Sequence, residues 1–176
     1  MTHPTELARE LLEYSATRLE DSLRQIENCL GRLTTEQIWH RPNQVSNAIG
    51  NLVIHLNGNV KQWILASLGN EPFERDRPAE FAQRDPLPTE SILQELEQTI
   101  QKACAVIRGL STDDLTSHVV IQGYDVSGVA AVIHVVEHFS LHTGQIVYAT
   151  KLLTGADLSL YDAHGKRIDG RQSGTP

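Results

Sequence analysis

Four long stretches of this chain return an apolar side chain every three or four positions, and no comparable stretch alternates with period two. That spacing gathers the apolar residues on one face of an α-helix, so the chain is committed to helices packed on helices. The first stretch runs from about Thr5 to Leu33, with Leu12, Leu19, Leu23, Ile26 and Leu30 on its stripe, and closes at Gly31. The second, opened by Ser46 or Asn47 as a cap, carries Ile49, Leu52, Val53, Leu56, Val60, Trp63, Ile64 and Leu68 and stops at Gly69-Asn70. The third begins with Thr89 as its cap, runs through Ile92, Leu96, Ile100, Ala103 and Ile107, and ends at Ser111-Thr112-Asp113-Asp114. The fourth extends from near Ser127 to Leu153 and ends at Thr154-Gly155.

The connections are uneven. Residues 71–88 hold Pro72, Pro78, Pro86 and Pro88 among many charges and read as an extended loop without regular structure. Residues 119–126 read as a short strand and turn, and the residues from Gly165 onward as a polar tail. The expectation is an all-α four-helix bundle with long connecting loops over residues 1–160, followed by a tail over 161–176. Loops longer than packing requires often cover a site.

Charge narrows the partners. Lysine and arginine total 15 against 22 acidic residues, a net charge of −7, which argues against binding a nucleic-acid backbone. No apolar run approaches the roughly 20 residues of a spanning helix, and the first residues lack the pattern of a secretory signal. Cys29 and Cys104 stand far apart inside amphipathic stretches, as buried inert thiols rather than a redox pair or a zinc ribbon. The expectation is a cytoplasmic protein that acts on a small molecule and binds neither nucleic acid nor membrane.

The eight histidines carry the functional argument. His134, His138 and His142 recur at four-residue steps, so they fall within an arc of about 80° on one helix face. Residues so spaced have Cβ atoms about 5–6 Å apart, which lets His138 and His142 point two imidazoles at one ion. A further ligand must come from another helix, and His55 is the best placed, lying among residues that must be core. A buried imidazole needs a partner, so His55 either donates to a backbone or amide group or joins His138 and His142 on a metal. Three neutral imidazoles on zinc, nickel or iron leave positions open for water or substrate, and zinc in such a site brings bound water to a pKa near 7. A di-iron carboxylate site is excluded, because no Glu here is followed by His at E-x-x-H spacing.

Neighbouring residues divide between functional and ordinary readings. Asn59 and Gln145 lie one turn from His55 and His142, either supporting ligands and substrate or serving as packing amides. Glu137 lies off the ligand face. Trp39, His40 and Arg41 form a loop anchor or a pocket rim, whereas His3, His118 and His164 read as exposed. Gly58 and Gly144, inside helices, mark close helix approach.

The segments Asn47-Ala48-Ile49-Gly50-Asn51-Leu52-Val53-Ile54-His55-Leu56-Asn57-Gly58-Asn59 and Glu137-His138-Phe139-Ser140-Leu141-His142-Thr143-Gly144-Gln145-Ile146 resemble the DinB-like superfamily of four-helix proteins. That group also includes bacillithiol S-transferases and mycothiol-dependent maleylpyruvate isomerases. The resemblance covers about Thr5 to Leu153. It implies His55, His138 and His142 as ligands of nickel, zinc or iron, with His134 as an extra, and a homodimer. Thr143 stands where many relatives carry an arginine, a departure in a shared substrate contact. Two functions compete: a metal-dependent hydrolase or thiol S-transferase, and a non-catalytic, metal-stabilised bundle that binds a small ligand or a partner.

Overall fold

The computed structural model describes residues 5–159 and 162–164. Of the tail expected over 161–176, all but residues 162–164 lie outside the described residues, as does His3. The elements are α1 (Glu6–Leu30), α2 (Thr35–Ile38), α3 (Ile49–Val60) continued by a π-helical turn (Lys61–Ala66), α4 (Arg77–Ala82), α5 (Thr89–Gly109), α6 (Thr112–Thr116), β1 (His118–Ile121), β2 (Tyr124–Ser127) and α7 (Gly128–Thr154). The four long helices α1, α3, α5 and α7 form the bundle. α1 packs against α5 and α7, and α3 packs against the same two from the opposite side. The all-α four-helix expectation holds.

Local chemistry explains most boundaries. Thr5 accepts from the Ala8 amide at the start of α1, and Ser127 accepts from Ala130 at the start of α7. Capping boxes at Thr34/Gln37 and Ser111/Asp114 nucleate the short helices α2 and α6. Gly155, at φ 64°, ends α7 in the left-handed conformation that glycine adopts without strain. The core is a continuous apolar cluster that includes Leu19, Ile26, Leu56, Ile64, Leu96, Ile107, Val135, Phe139 and Ile146, all fully buried. Removing such side chains from water is the main force closing the bundle.

Four local expectations are corrected. Neither Ser46 nor Asn47 caps α3; Ala48 is the cap residue, and its amide donates to Asn51 Oδ1 at 3.2 Å. Thr89 is the first residue of α5 rather than its cap, which is Pro88. The 71–88 connection is not uniformly extended, because Asp76 accepts from the Ala79 amide and starts α4, with Pro78 in its first turn. Gly144 meets nothing within 4 Å of its missing Cβ, so no helix among the described residues approaches it closely. The strand and turn expected near 119–126 form the antiparallel hairpin β1–β2, with Ile121 paired to Tyr124.

Candidate functional site

The histidines meet where α3 and α7 face each other, roofed by α4. His55, 3% exposed, projects from α3, and His138 and His142 project from α7. One ring nitrogen from each lies within 4.8 Å of the other two, so the group could hold a metal ion. His55 Nε2 is 3.1 Å from His138 Nε2. Two nitrogens bound at about 2.05 Å to one tetrahedral ion would stand about 3.3 Å apart, so the spacing fits an ion.

The tautomers follow from the partners. His55 Nδ1 lies 2.8 Å from Glu80 Oε2, and His142 Nδ1 lies 2.7 Å from Gln145 Oε1. Arg75 Nη2 also lies 3.1 Å from His55 Nδ1, but the shorter contact is to the carboxylate. A proton on Nδ1 facing each acceptor leaves an Nε2 lone pair for an ion, the arrangement that orients metal-binding histidines. His138 differs, since its buried Nδ1 has no hydrogen-bond partner among the described residues. Burial holds the His138 pKa down at about 3, with smaller repulsions from His142, His55, His134 and Arg75. Burial likewise lowers His142, against the opposing hydrogen bond to Gln145. Neutral imidazoles are the state that binds metal.

Glu80 holds the roof. It is 7% exposed, and burial pushes its pKa up, but hydrogen bonds from His55 and Arg75 outweigh that and lower it. Arg75 Nε donates to Glu80 Oε1 at 2.6 Å and Nη2 to Oε2 at 2.9 Å, a two-pronged grip. Gly58 makes room, because a Cβ there would collide with the Glu80 carboxylate. The close approach expected at Gly58 is therefore made by this carboxylate from α4, not by a helix backbone. Arg41 ties the roof down by donating to Asn51 Oδ1 at 2.7 Å and to the Phe81 carbonyl at 3.0 Å. Trp39 lies over Gly50 and donates to the Leu87 carbonyl at 3.3 Å. Trp39 and Arg41 are loop anchors, and His40 is exposed.

A cavity of about 530 Å³ opens beside the histidines, lined by residues that include His55, His138, His134, Asn59, Trp63 and Tyr124. That volume suits a small molecule. His134 does not join the group of three; its ring stacks on Trp63 with centroids 3.9 Å apart. Burial lowers the His134 pKa, partly offset by Glu137, which is exposed and off the site. Asn59, 3% exposed, lies on the cavity wall, whereas Gln145 sits behind His142. Thr143 is buried and donates to the Phe139 carbonyl at 2.8 Å. His118 is exposed beside Asp125, and His164 is exposed.

Sequence reasoning missed Glu80 and Arg75, which lie in the proline-rich connection. Two signals pointed to them: Asp76-Arg77-Pro78 has the form of a helix start, and Gly58 removes a side chain three residues after His55.

Three solved structures share the fold. A conserved protein from Enterococcus faecalis matches with TM-score 0.60 at 16% identity, covering 89% of this chain and 100% of its own. A DinB-like protein from Bacillus cereus matches with TM-score 0.62 at 17% identity, covering 84% and 93%. A DinB-like protein from Bacillus subtilis matches with TM-score 0.57 at 14% identity, covering 88% and 99%. At such identities the likeness establishes the DinB-like fold and leaves the chemistry to the site. No curated protein matches the chain. Residues 6–163 match the family described as Protein of unknown function (DUF1572), and the chain belongs to that family.

Proposed function

We propose that this protein is a metal-dependent enzyme in which His55, His138 and His142 hold a divalent nickel, zinc or iron ion beside a small-molecule cavity. The observation that carries this reading is the paired anchoring of His55 by Glu80 and of His142 by Gln145 through Nδ1, which turns the Nε2 side of each ring to the shared position. These three imidazoles would hold the ion, which when bound would supply Lewis acidity toward water or a low-molecular-weight thiol for hydrolysis or transfer. The chain supplies the rest. Glu80 and Arg75 fix the His55 ring, and Asn59 and Trp63 shape the wall. His134, stacked on Trp63, forms another part of that wall.

The competing reading, a metal-stabilised bundle without catalysis, has one observation in its favour. Glu80, the carboxylate nearest the histidines, is engaged by His55 and Arg75 rather than free to act as a base. Thermal melting with and without a chelator, combined with a screen of thiol and ester substrates, separates the two. Metal-dependent turnover supports the enzyme; a large chelator-induced loss of Tm with no turnover supports the scaffold.

We also propose that two copies pair. Leu141, Tyr148 and Leu152 are 61–68% exposed on α7, and the missing Gly144 side chain leaves space among them. Cys29 and Cys104 are free and buried, which suits the reducing cytoplasm.

A further inference from the structure

The cavity wall carries two guanidinium groups with unequal partners. Arg75 is neutralised by both oxygens of Glu80. Arg77, exposed on the same wall, has no carboxylate partner among the described residues. Its guanidinium lies 5.0 Å from the centroid of the Phe81 ring, and that ring lies 4.7 Å from the His55 ring. Phe81 thus supports an unpaired cation beside the histidines, by the attraction of a ring face for positive charge.

The lining also has an apolar part. Tyr124 and Val126 come from β2, and Trp63 and Ala130 from α3's continuation and α7. Gln122, at the hairpin turn, has φ 55°, a left-handed backbone that a non-glycine residue adopts at a cost. Its amide donates to Gln62 Oε1 at 2.6 Å, and Gln62 also accepts from Arg75 at 3.1 Å. The hairpin that carries Tyr124 is therefore pinned to the arginine side of the cavity.

With Arg75 gripped by both oxygens of Glu80, Arg77 is the guanidinium on this wall that lacks a carboxylate partner among the described residues. We propose that the cavity takes a small organic carboxylate: Arg77 pairs with the carboxylate, and an apolar body lies against Trp63, Tyr124 and Val126. This inference rests on the reading of the histidine group as the reactive centre for its direction, with the other end of the ligand toward the histidines. Arg77 sets specificity, because a guanidinium fork fits a carboxylate in two-pronged fashion and a neutral amide poorly.

The test uses 3-phenylpropionate and its neutral counterpart 3-phenylpropanamide, titrated calorimetrically into the zinc-loaded and the chelator-stripped chain. The acid is expected to bind at least tenfold more tightly than the amide in the loaded protein. Arg77→Gln should lower acid affinity at least tenfold and leave the amide unchanged, with Arg77→Lys intermediate. Tyr124→Ala should weaken both probes alike. Equal binding of acid and amide, no binding of the acid, an unaltered acid affinity in Arg77→Gln, or no effect of Tyr124→Ala overturns the inference. Metal content measured on the same samples keeps the two proposals apart. A chain that takes up no zinc yet discriminates through Arg77 retains the carboxylate site and loses the metal centre. A zinc-loaded chain without discrimination does the reverse.

Discussion

Glu80 Oε2 stands 2.8 Å from His55 Nδ1, joining a short helix in a proline-rich connection to the middle of a core helix. Through this contact the loop both roofs the site and sets the direction of its first imidazole. Glu80→Gln should lower metal affinity about 10- to 100-fold, the usual effect of removing such a supporting acceptor. Competition titration against a chromophoric chelator measures it. An unchanged affinity would mean that His55 is oriented without the carboxylate.

Gly58→Ala tests the same contact sterically. The new methyl would occupy the place of the Glu80 carboxylate, so Glu80 must move or the helix must shift. Overpacking of this kind costs about 1–3 kcal/mol. Urea unfolding should show a lower midpoint with an unchanged slope.

The depressed pKa of His138 gives a signed dependence on pH. Its folded value of about 3 lies below the ordinary histidine value of 6.5, so the unfolded chain binds the proton first as pH falls. The stability contributed by neutral His138 is present above about pH 6.5 and is lost progressively from there down toward about pH 3. Glu80, also depressed, adds a loss that begins only near its ordinary value of 4.5. The Tm of the metal-free chain should therefore fall between pH 7 and pH 5, and His138→Gln should flatten that fall.

The α7 stripe makes a distinct prediction. If Leu141, Tyr148 and Leu152 are covered by a second copy, Tyr148→Glu should convert a dimer to a monomer in analytical ultracentrifugation. A wild-type chain that sediments as a monomer at high micromolar concentration removes the pairing.

The bundle was legible because burial of a helix face writes a 3.6-residue period into the sequence, as in Leu19, Leu23, Ile26 and Leu30 of α1. The His138/His142 pair was legible for a related reason: four-residue spacing on one helix is a local property. The meeting of His55 with that pair rested on the family resemblance and on the need of a core imidazole for a partner. Glu80 and Arg75 were not legible as a buried pair, since charges among prolines ordinarily face water. Their burial depends on α4 folding back over α3, on the space at Gly58, and on the hold of Arg41 on the Phe81 carbonyl. The π-helical turn at Lys61–Ala66, which carries Trp63, also leaves little trace in an apolar pattern that reads as continuous helix.

The proposed function stands on His55, His138 and His142 together holding one divalent ion. Elemental analysis of the purified wild-type chain and of His55→Ala, His138→Ala and His142→Ala, with circular dichroism to verify folding, tests it most directly. The wild-type chain should carry about one nickel, zinc or iron, with a loss of at least tenfold in each folded variant. Equal metal content in the wild type and His138→Ala, or none in any of the four, would contradict it.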